Sequence, residues 1–270
     1  MAYSIKIFIY FILVLYVSAS ICYLAGSKNT FANRMALWLA VGGFLSNLVL
    51  LVVFTYTGKR LPLATGNEFL LSFICITALV YLIFEMITKT NNAGGVVMLI
   101  EVLLLLVFII LMPDQMEKAS PLLPALKSHW LTIHVLTAVL SYSGFTLAAG
   151  LAFGQLRTTN SNGEAFIYRI VTVSFALLSL SIVLGAIWAE QAWGSYWSWD
   201  PKEIWALITW IVYAVYLHLR KQREWRGKPA IIMVLVGFSI VLFTFLGVNY
   251  IMPGLHSYAG LNELETILII

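Results

Sequence analysis

Eight uninterrupted apolar runs divide this sequence, and no other feature limits the fold so strongly. They are Ile7–Ala25, Met35–Tyr56, Phe69–Ile87, Val96–Met112, Trp130–Phe153, Ile167–Ala189, Ile204–Leu219 and Ala230–Ile251. A helix rises about 1.5 Å per residue, so ~20 residues cross a hydrocarbon layer of about 30 Å. The fourth and seventh runs are short, at 17 and 16 residues, and their helices are expected to extend into the polar flanks. The runs are continuous rather than alternating, which argues against strands. Composition agrees: 61% of the 270 residues are hydrophobic and 10% are charged. A soluble domain carries about 25% charged residues and could not hide so much apolar surface. The expected fold is all-α, a polytopic integral membrane helix bundle of about eight transmembrane helices. A soluble enzyme or a nucleic-acid-binding domain is excluded. The net charge of +4 is a product of basic residues flanking the spans.

Those basic residues also set the orientation. One set of connections carries Lys28, Arg34, Lys89, Arg157, Arg169, Arg220, Lys221, Arg223, Arg226 and Lys228. The opposite set carries Lys6, Lys59, Arg60, Lys118, Lys127 and Lys202. The richer set is expected to face the cytoplasm or stroma, which puts both termini on the outer, periplasmic or lumenal side. The first run could pass for a signal peptide. However, its apolar stretch exceeds the usual ~7–15 residues and only Lys6 precedes it, so it reads as a membrane helix. The chain has no repeat or long linker. It reads as a four-helix membrane region (1–112), an outer loop (113–128) and a motif-rich membrane core (129–270). Cys22 and Cys75 lie in apolar runs, and the absence of CxxC and CxxCH argues against a thiol oxidoreductase, a zinc site or a covalently attached c-type haem.

Six of the nine tryptophans fall between Trp188 and Trp210. An interfacial aromatic belt accounts for Trp188, Trp205 and Trp210. It does not account for Trp193, Trp197 and Trp199 in what reads as one polar loop. Indoles offer flat apolar faces and N–H donors, which suits a large planar ligand with a polar edge, whether haem, chlorin or quinone. Next to them, Asp200-Pro201-Lys202-Glu203 places Asp at N-cap, Pro at N1 and Glu at N3. That is a helix-start signal, and it makes Asp200 a cap before it makes it a catalytic acid. Lys202 is placed either to meet a ligand carboxylate or simply to be solvated.

The four histidines lie at two depths. His134 is four residues inside its run, ~6 Å deep, and His256 follows the eighth run after Pro253-Gly254. The topology puts both on the surface that carries the tryptophans, and two imidazoles are a standard axial pair for haem iron. His218 lies ~25 Å along the seventh helix, toward the opposite side. It reads either as a functional intramembrane residue or as an interfacial histidine beside Arg220. No histidine occurs in the first four runs, so a second imidazole for an iron at His218 would come from another chain. His129 receives no role. Glu85 and Glu101 lie within apolar runs, each facing a helix partner or a water-filled groove.

Taken together, Trp193-Gly194-Ser195-Tyr196-Trp197-Ser198-Trp199-Asp200-Pro201-Lys202-Glu203, then Trp205 through Trp210 and Tyr216-Leu217-His218, resemble the tryptophan-rich (WWD) signature of the CcsA (ResC) family of cytochrome c biogenesis proteins. His134-Val135 with Ser141-Tyr142 resembles that family's histidine before the loop. Gly247-Val248-Asn249 and Gly254-Leu255-His256-Ser257-Tyr258 resemble the histidine after it. The resemblance covers roughly Leu126 to Tyr258. It implies a system II protein that works with a CcsB (ResB) partner. The pair carries haem b across the membrane and attaches it, as a holocytochrome c synthase of lyase type, to the CxxCH cysteines of apocytochrome c. It further implies that His134 and His256 are outer axial ligands of the iron, with His218 an intramembrane ligand paired in the partner. Gly194, Tyr196, Trp193, Trp197, Trp199, Asp200 and Trp205 would hold the porphyrin. No residue of the chain is expected to act as nucleophile or base, because the apocytochrome supplies the thiols; the chain supplies position. A CcmC-like exporter that delivers haem without forming thioethers is the alternative. The expected location is the bacterial cytoplasmic membrane, with the thylakoid membrane as the other choice.

Overall fold

The computed structural model describes residues 2–26, 30–112, 126–156 and 161–256. All regular structure among them is helical: α1 (Ala2–Ala25), α2 (Thr30–Gly58), α3 (Gly66–Thr88), α4 (Gly94–Leu111), α5 (His129–Gln155), α6 (Ser161–Trp193), α7 (Pro201–Leu219), α8 (Lys228–Leu242) and the short α9 (Val248–Ile251). Seven helical segments are long and apolar enough to cross a membrane, the last running from Lys228 to Ile251. The eighth crossing falls to α7. α6 ends at Trp193 and α8 starts at Lys228 from the opposite end of the bundle, so the chain must return between them, and the 19 residues of α7 make that return. We call the two ends the histidine end (His134, His256) and the basic end (Lys89, Arg220–Lys228).

The helices bury small and aromatic residues inward and turn large apolar ones outward. Val14, Val52, Leu103, Val173, Val183 and Ile232 are all exposed. In water such a surface would be a liability, while in a bilayer it is the solvent-matched face. α5 is the exception, because it is buried along most of its length. It lies at the centre, packed on α3, α4, α6 and α8, and joins the first four helices to the last four. Its composition permits this. Ser141 Oγ donates to Ser174 O on α6 (2.7 Å), and a Cβ on Gly144 would collide with Ser174 Oγ, so α5 and α6 approach with little side chain between them. Phe145 stacks flat on Tyr213 of α7, with centroids 3.8 Å apart.

Side chains cap the heads of α5 and α3. Ser128 Oγ accepts from Trp130 N–H at the head of α5. Glu68 Oε2 accepts from Thr65 N–H at the head of α3, while both its oxygens bind Arg60 at 2.7 Å.

Two features depart from the sequence reading. The last apolar run is not one α-helix: Phe243–Gly247 forms a π turn between α8 and α9. An apolar periodicity cannot register one extra residue in a turn. The second departure is Trp193. It belongs to α6, not to the loop, because the first helix breaker is Gly194. Gly194 has φ +76° and its N–H bonds Glu190 O (2.8 Å), closing the helix as a left-handed C-terminal glycine. The loop is thereby reduced to Gly194–Trp199. The expected outer loop lies almost wholly outside the described residues, as do both termini, Ser257 and Tyr258.

Candidate haem site at the histidine end

Four aromatic rings meet at one end of the bundle. His134, in the second turn of α5, lies parallel to Trp188 of α6, with centroids 6.4 Å apart and planes 10° apart. Trp188 also meets His256 (5.7 Å) and the edge of Trp193 (4.7 Å). Trp193 in turn meets His256 at 4.7 Å, nearly perpendicular. Two histidines 122 residues apart therefore share one indole. Trp188 is buried, while His134, Trp193 and His256 are half-buried.

The ring nitrogens of both histidines are sorted. His134 Nδ1 lies 2.8 Å from Ser181 O, a carbonyl that can only accept. Its Nδ1 therefore carries the proton, and Nε2 carries the lone pair. His256 Nδ1 lies 2.9 Å from Asp200 Oδ1, and a carboxylate selects the same tautomer. Histidines that bind metal characteristically donate their other N–H to a carbonyl or carboxylate in this way, which fixes the ring and raises its basicity. Both imidazoles are thus prepared to offer Nε2 to an iron, and the donor set fits haem.

Asp200 does more than begin a helix. Its Oδ1 accepts from Lys202 N–H (3.0 Å) as the cap of α7. Its Oδ2 accepts from Leu255 N–H (2.6 Å), which holds the segment after α9 against the head of α7. Gly254 is needed there, since a Cβ would collide with Asp200 Oδ2. Burial raises the Asp200 pKa, but the His256 hydrogen bond and charge, together with the two backbone N–H donors, outweigh it and hold the group below the usual carboxylate value. Glu203 Oε2 reaches back to the N–H groups of Asp200 (3.1 Å) and Ser198 (2.9 Å), so the loop end is pinned. Lys202 Nζ donates to Asn249 Oδ1 (3.1 Å) on α9. The π turn immediately before α9 sets the rotation that brings Asn249 there.

The remaining predicted residues are placed elsewhere. Tyr196 and Trp199 are the most open, at 61% and 67% exposure, and Trp197 meets the edge of Trp199 at 5.9 Å. Trp199 adopts φ +59°, a conformation that bulky residues rarely accept. Trp205 packs on Phe243 of the π turn (4.3 Å). Gly194 is the glycine that ends α6. His218 is exposed at the basic end, on a stripe with Ile211 and Val215, and His129 is exposed at the head of α5. Sequence reasoning missed Trp188 as a site residue, along with Ser181 and Gly185. A Cβ on Gly185 would lie 2.8 Å from His134 Cε1 and Nδ1, so the imidazole rests directly on the α6 backbone. Ser181, Gly185 and Trp188 fall at helical spacing on one face of α6, a periodicity visible in the sequence once His134 is paired with that helix.

Known proteins decide the family. The pattern of the cytochrome C assembly proteins matches residues 64–256, well over half the chain. The chain belongs to that family. Its process is cytochrome c biogenesis. Among similar proteins is the cytochrome c biogenesis protein CcsA of Mesostigma viride, 33% identical over 88% of this chain and 92% of its own length. CcsA of Heterosigma akashiwo is 35% identical, over 77% and 79%. CcsA of Chlamydomonas reinhardtii is 44% identical over 56% of this chain, and the matched segment is 46% of that longer protein. Among solved structures, the cytochrome c haem lyase CcmF superposes with a TM-score of 0.74 at 18% identity, over 91% of this chain and 46% of that one. At that identity the likeness concerns the fold. The family match spans α3 through His256, and so includes every element that builds the histidine end.

Proposed function

We propose that this cytochrome c assembly protein holds haem b at the histidine end, with His134 and His256 as axial ligands, for attachment to the CxxCH thiols of apocytochrome c. The observation that carries this reading is the matched state of the two imidazoles. Each has Nδ1 bound to an obligate acceptor and Nε2 left for iron. Trp188 and Trp193 provide apolar walls against which the porphyrin can be oriented. In the attachment, each cysteine S–H adds across a haem vinyl C=C. A C–S bond forms, the hydrogen goes to the other vinyl carbon, and no external oxidant or reductant is consumed. The chain contributes no nucleophile; it contributes position and exclusion of competing axial ligands. A CcsB (ResB) type partner supplies the imidazole that faces His218, and the membrane is the bacterial cytoplasmic or the thylakoid membrane.

The test is the reduced absorption spectrum and pyridine haemochrome of the chain purified with its partner. His134→Ala combined with His256→Ala is expected to abolish b-type haem at this end and cytochrome c maturation. Unchanged haem content and maturation in the double variant would sink the assignment.

A further inference from the structure

The four helices that lack histidines hold a second polar centre, which the haem reading does not use. Glu101 lies in α4, about 10 Å from the helix start, and is fully buried with neither carboxyl oxygen hydrogen-bonded. Two further orphaned atoms come from neighbouring helices. Tyr16 Oη on α1 is buried and makes no well-formed hydrogen bond. Asn47 on α2 gives its Nδ2 to Leu71 O (3.2 Å) and keeps its Oδ1 unpaired. Tyr16 Oη lies near the Asn47 side chain and within electrostatic reach of Glu101 and of Cys75 on α3, so the group is one cluster. A bare carboxylate without a cation in such a place is too costly to persist.

The surroundings are asymmetric. Toward the histidine end the cluster is closed by Ile9, Ile12, Leu104, Leu105 and Phe108, all buried. Toward the basic end hydroxyls continue. Tyr16, Ser20 and Tyr23 follow one face of α1, and Ser20 Oγ donates to Gly95 O (2.9 Å). Tyr23 Oη donates to Glu85 Oε2 (2.6 Å), and Glu85 is half-buried near the end of α3. Tyr81, whose Oη is also unpaired, meets the edge of Tyr23 at 5.6 Å. Gly94 keeps this space open, since a Cβ there would strike both tyrosines. α5, the remaining neighbour of α4, meets it through Gly150 against Ala93 and Val97.

We propose that Glu101 is a proton-binding site within the four-helix half, loaded and unloaded from the basic end along Tyr16, Ser20, Tyr23 and Glu85. An acid of this kind takes up a proton from one side only, and a lone buried carboxyl in a membrane helix is a functional group by default.

The experiment is infrared spectroscopy of the full chain in lipid nanodiscs, with its glutamate side chains carbon-13 labelled. A carbonyl band of a protonated glutamic acid is expected at neutral pH. It should be lost in Glu101→Gln and shifted in Tyr16→Phe, which keeps the acid and removes its hydroxyl neighbour. Deuterium exchange of that band should slow several-fold in Tyr23→Phe. Absence of the band in the unmodified protein would overturn the proposal, as would its persistence in Glu101→Gln. Its disappearance when sodium chloride replaces choline chloride at fixed pH would make the cluster a cation site instead. Unchanged exchange in Tyr23→Phe would overturn the route from the basic end.

Discussion

Asp200 serves two structures at once, and the two roles can be separated by substitution. Asp200→Ala removes the α7 cap, which costs about 0.5–2 kcal/mol, and also releases His256 and Leu255. Asp200→Asn keeps an acceptor for Lys202 N–H but turns an amide toward the Leu255 N–H donor. We expect Asp200→Asn to stay within about 1 kcal/mol of the parent by thermal unfolding while haem affinity falls about 10–100-fold, as for other orienting partners of metal-bound histidine. Equal loss of stability and haem in both variants would mean that the carboxylate acts only through the fold. The acid is depressed in the folded state, so its stabilising contribution is present above the unfolded value of about 3.9 and disappears as pH falls through the lower folded value. The stability contributed by this carboxylate should therefore be lost on the acid side of its ordinary range, and that acid step should be absent from the Asn variant. Gly185→Ala tests the other imidazole. Its Cβ would press on His134 Cε1 and Nδ1, so the ring must leave Ser181 O. The expected result is loss of the His134-dependent haem signal with α6 intact by circular dichroism.

At the scale of the elements, the π turn decides where the last segment goes. Phe243–Gly247 holds one residue more than an α-turn, and Gly247 admits the Phe243 ring against its Cα. Insertion of one alanine after Gly247, beyond the π turn that already absorbs one extra residue, would rotate α9 by about 100°, taking Asn249 from Lys202 and His256 from Asp200. The expected readout is loss of bound haem with a nearly unchanged far-ultraviolet helix signal. This element also marks the limit of what the sequence discloses. The helical runs and the start of α7 at Asp200-Pro201 were legible, because length, hydropathy and capping chemistry are local. His134 and His256 were legible through their shared end. The stacking of His134 on α6, the extension of α6 through Trp193 and the π turn were not, since each depends on contact between helices or on one residue of register. Trp188 read as a belt residue because a sequence shows that an indole is at the interface, and not what lies against it.

On the scale of the whole molecule, the two histidine depths belong to different environments. His134 and His256 are bound within the chain, whereas His218 is exposed beside Ile211 and Val215 and makes no side-chain hydrogen bond among the described residues. His218→Ala should therefore leave stability within about 0.5 kcal/mol, as exposed substitutions generally do, yet lower cytochrome c maturation if the partner meets this stripe. Normal maturation in that variant would remove His218 from the pathway.

One helix connects these environments. α7 runs without interruption from the Asp200 cap to Arg220, and Arg220 Nη2 is fastened to Glu164 Oε2 of α6 at 2.7 Å. It is a stiff rod ~25 Å long between His218 and the carboxylate that aims His256. With its basic end as fulcrum, a tilt of about 10° would sweep the Asp200 end through about 4 Å over that length. A push against the His218 stripe would then act as a lever on the distant imidazole, so that a contact at one end of the bundle resets the aim of His256 at the other.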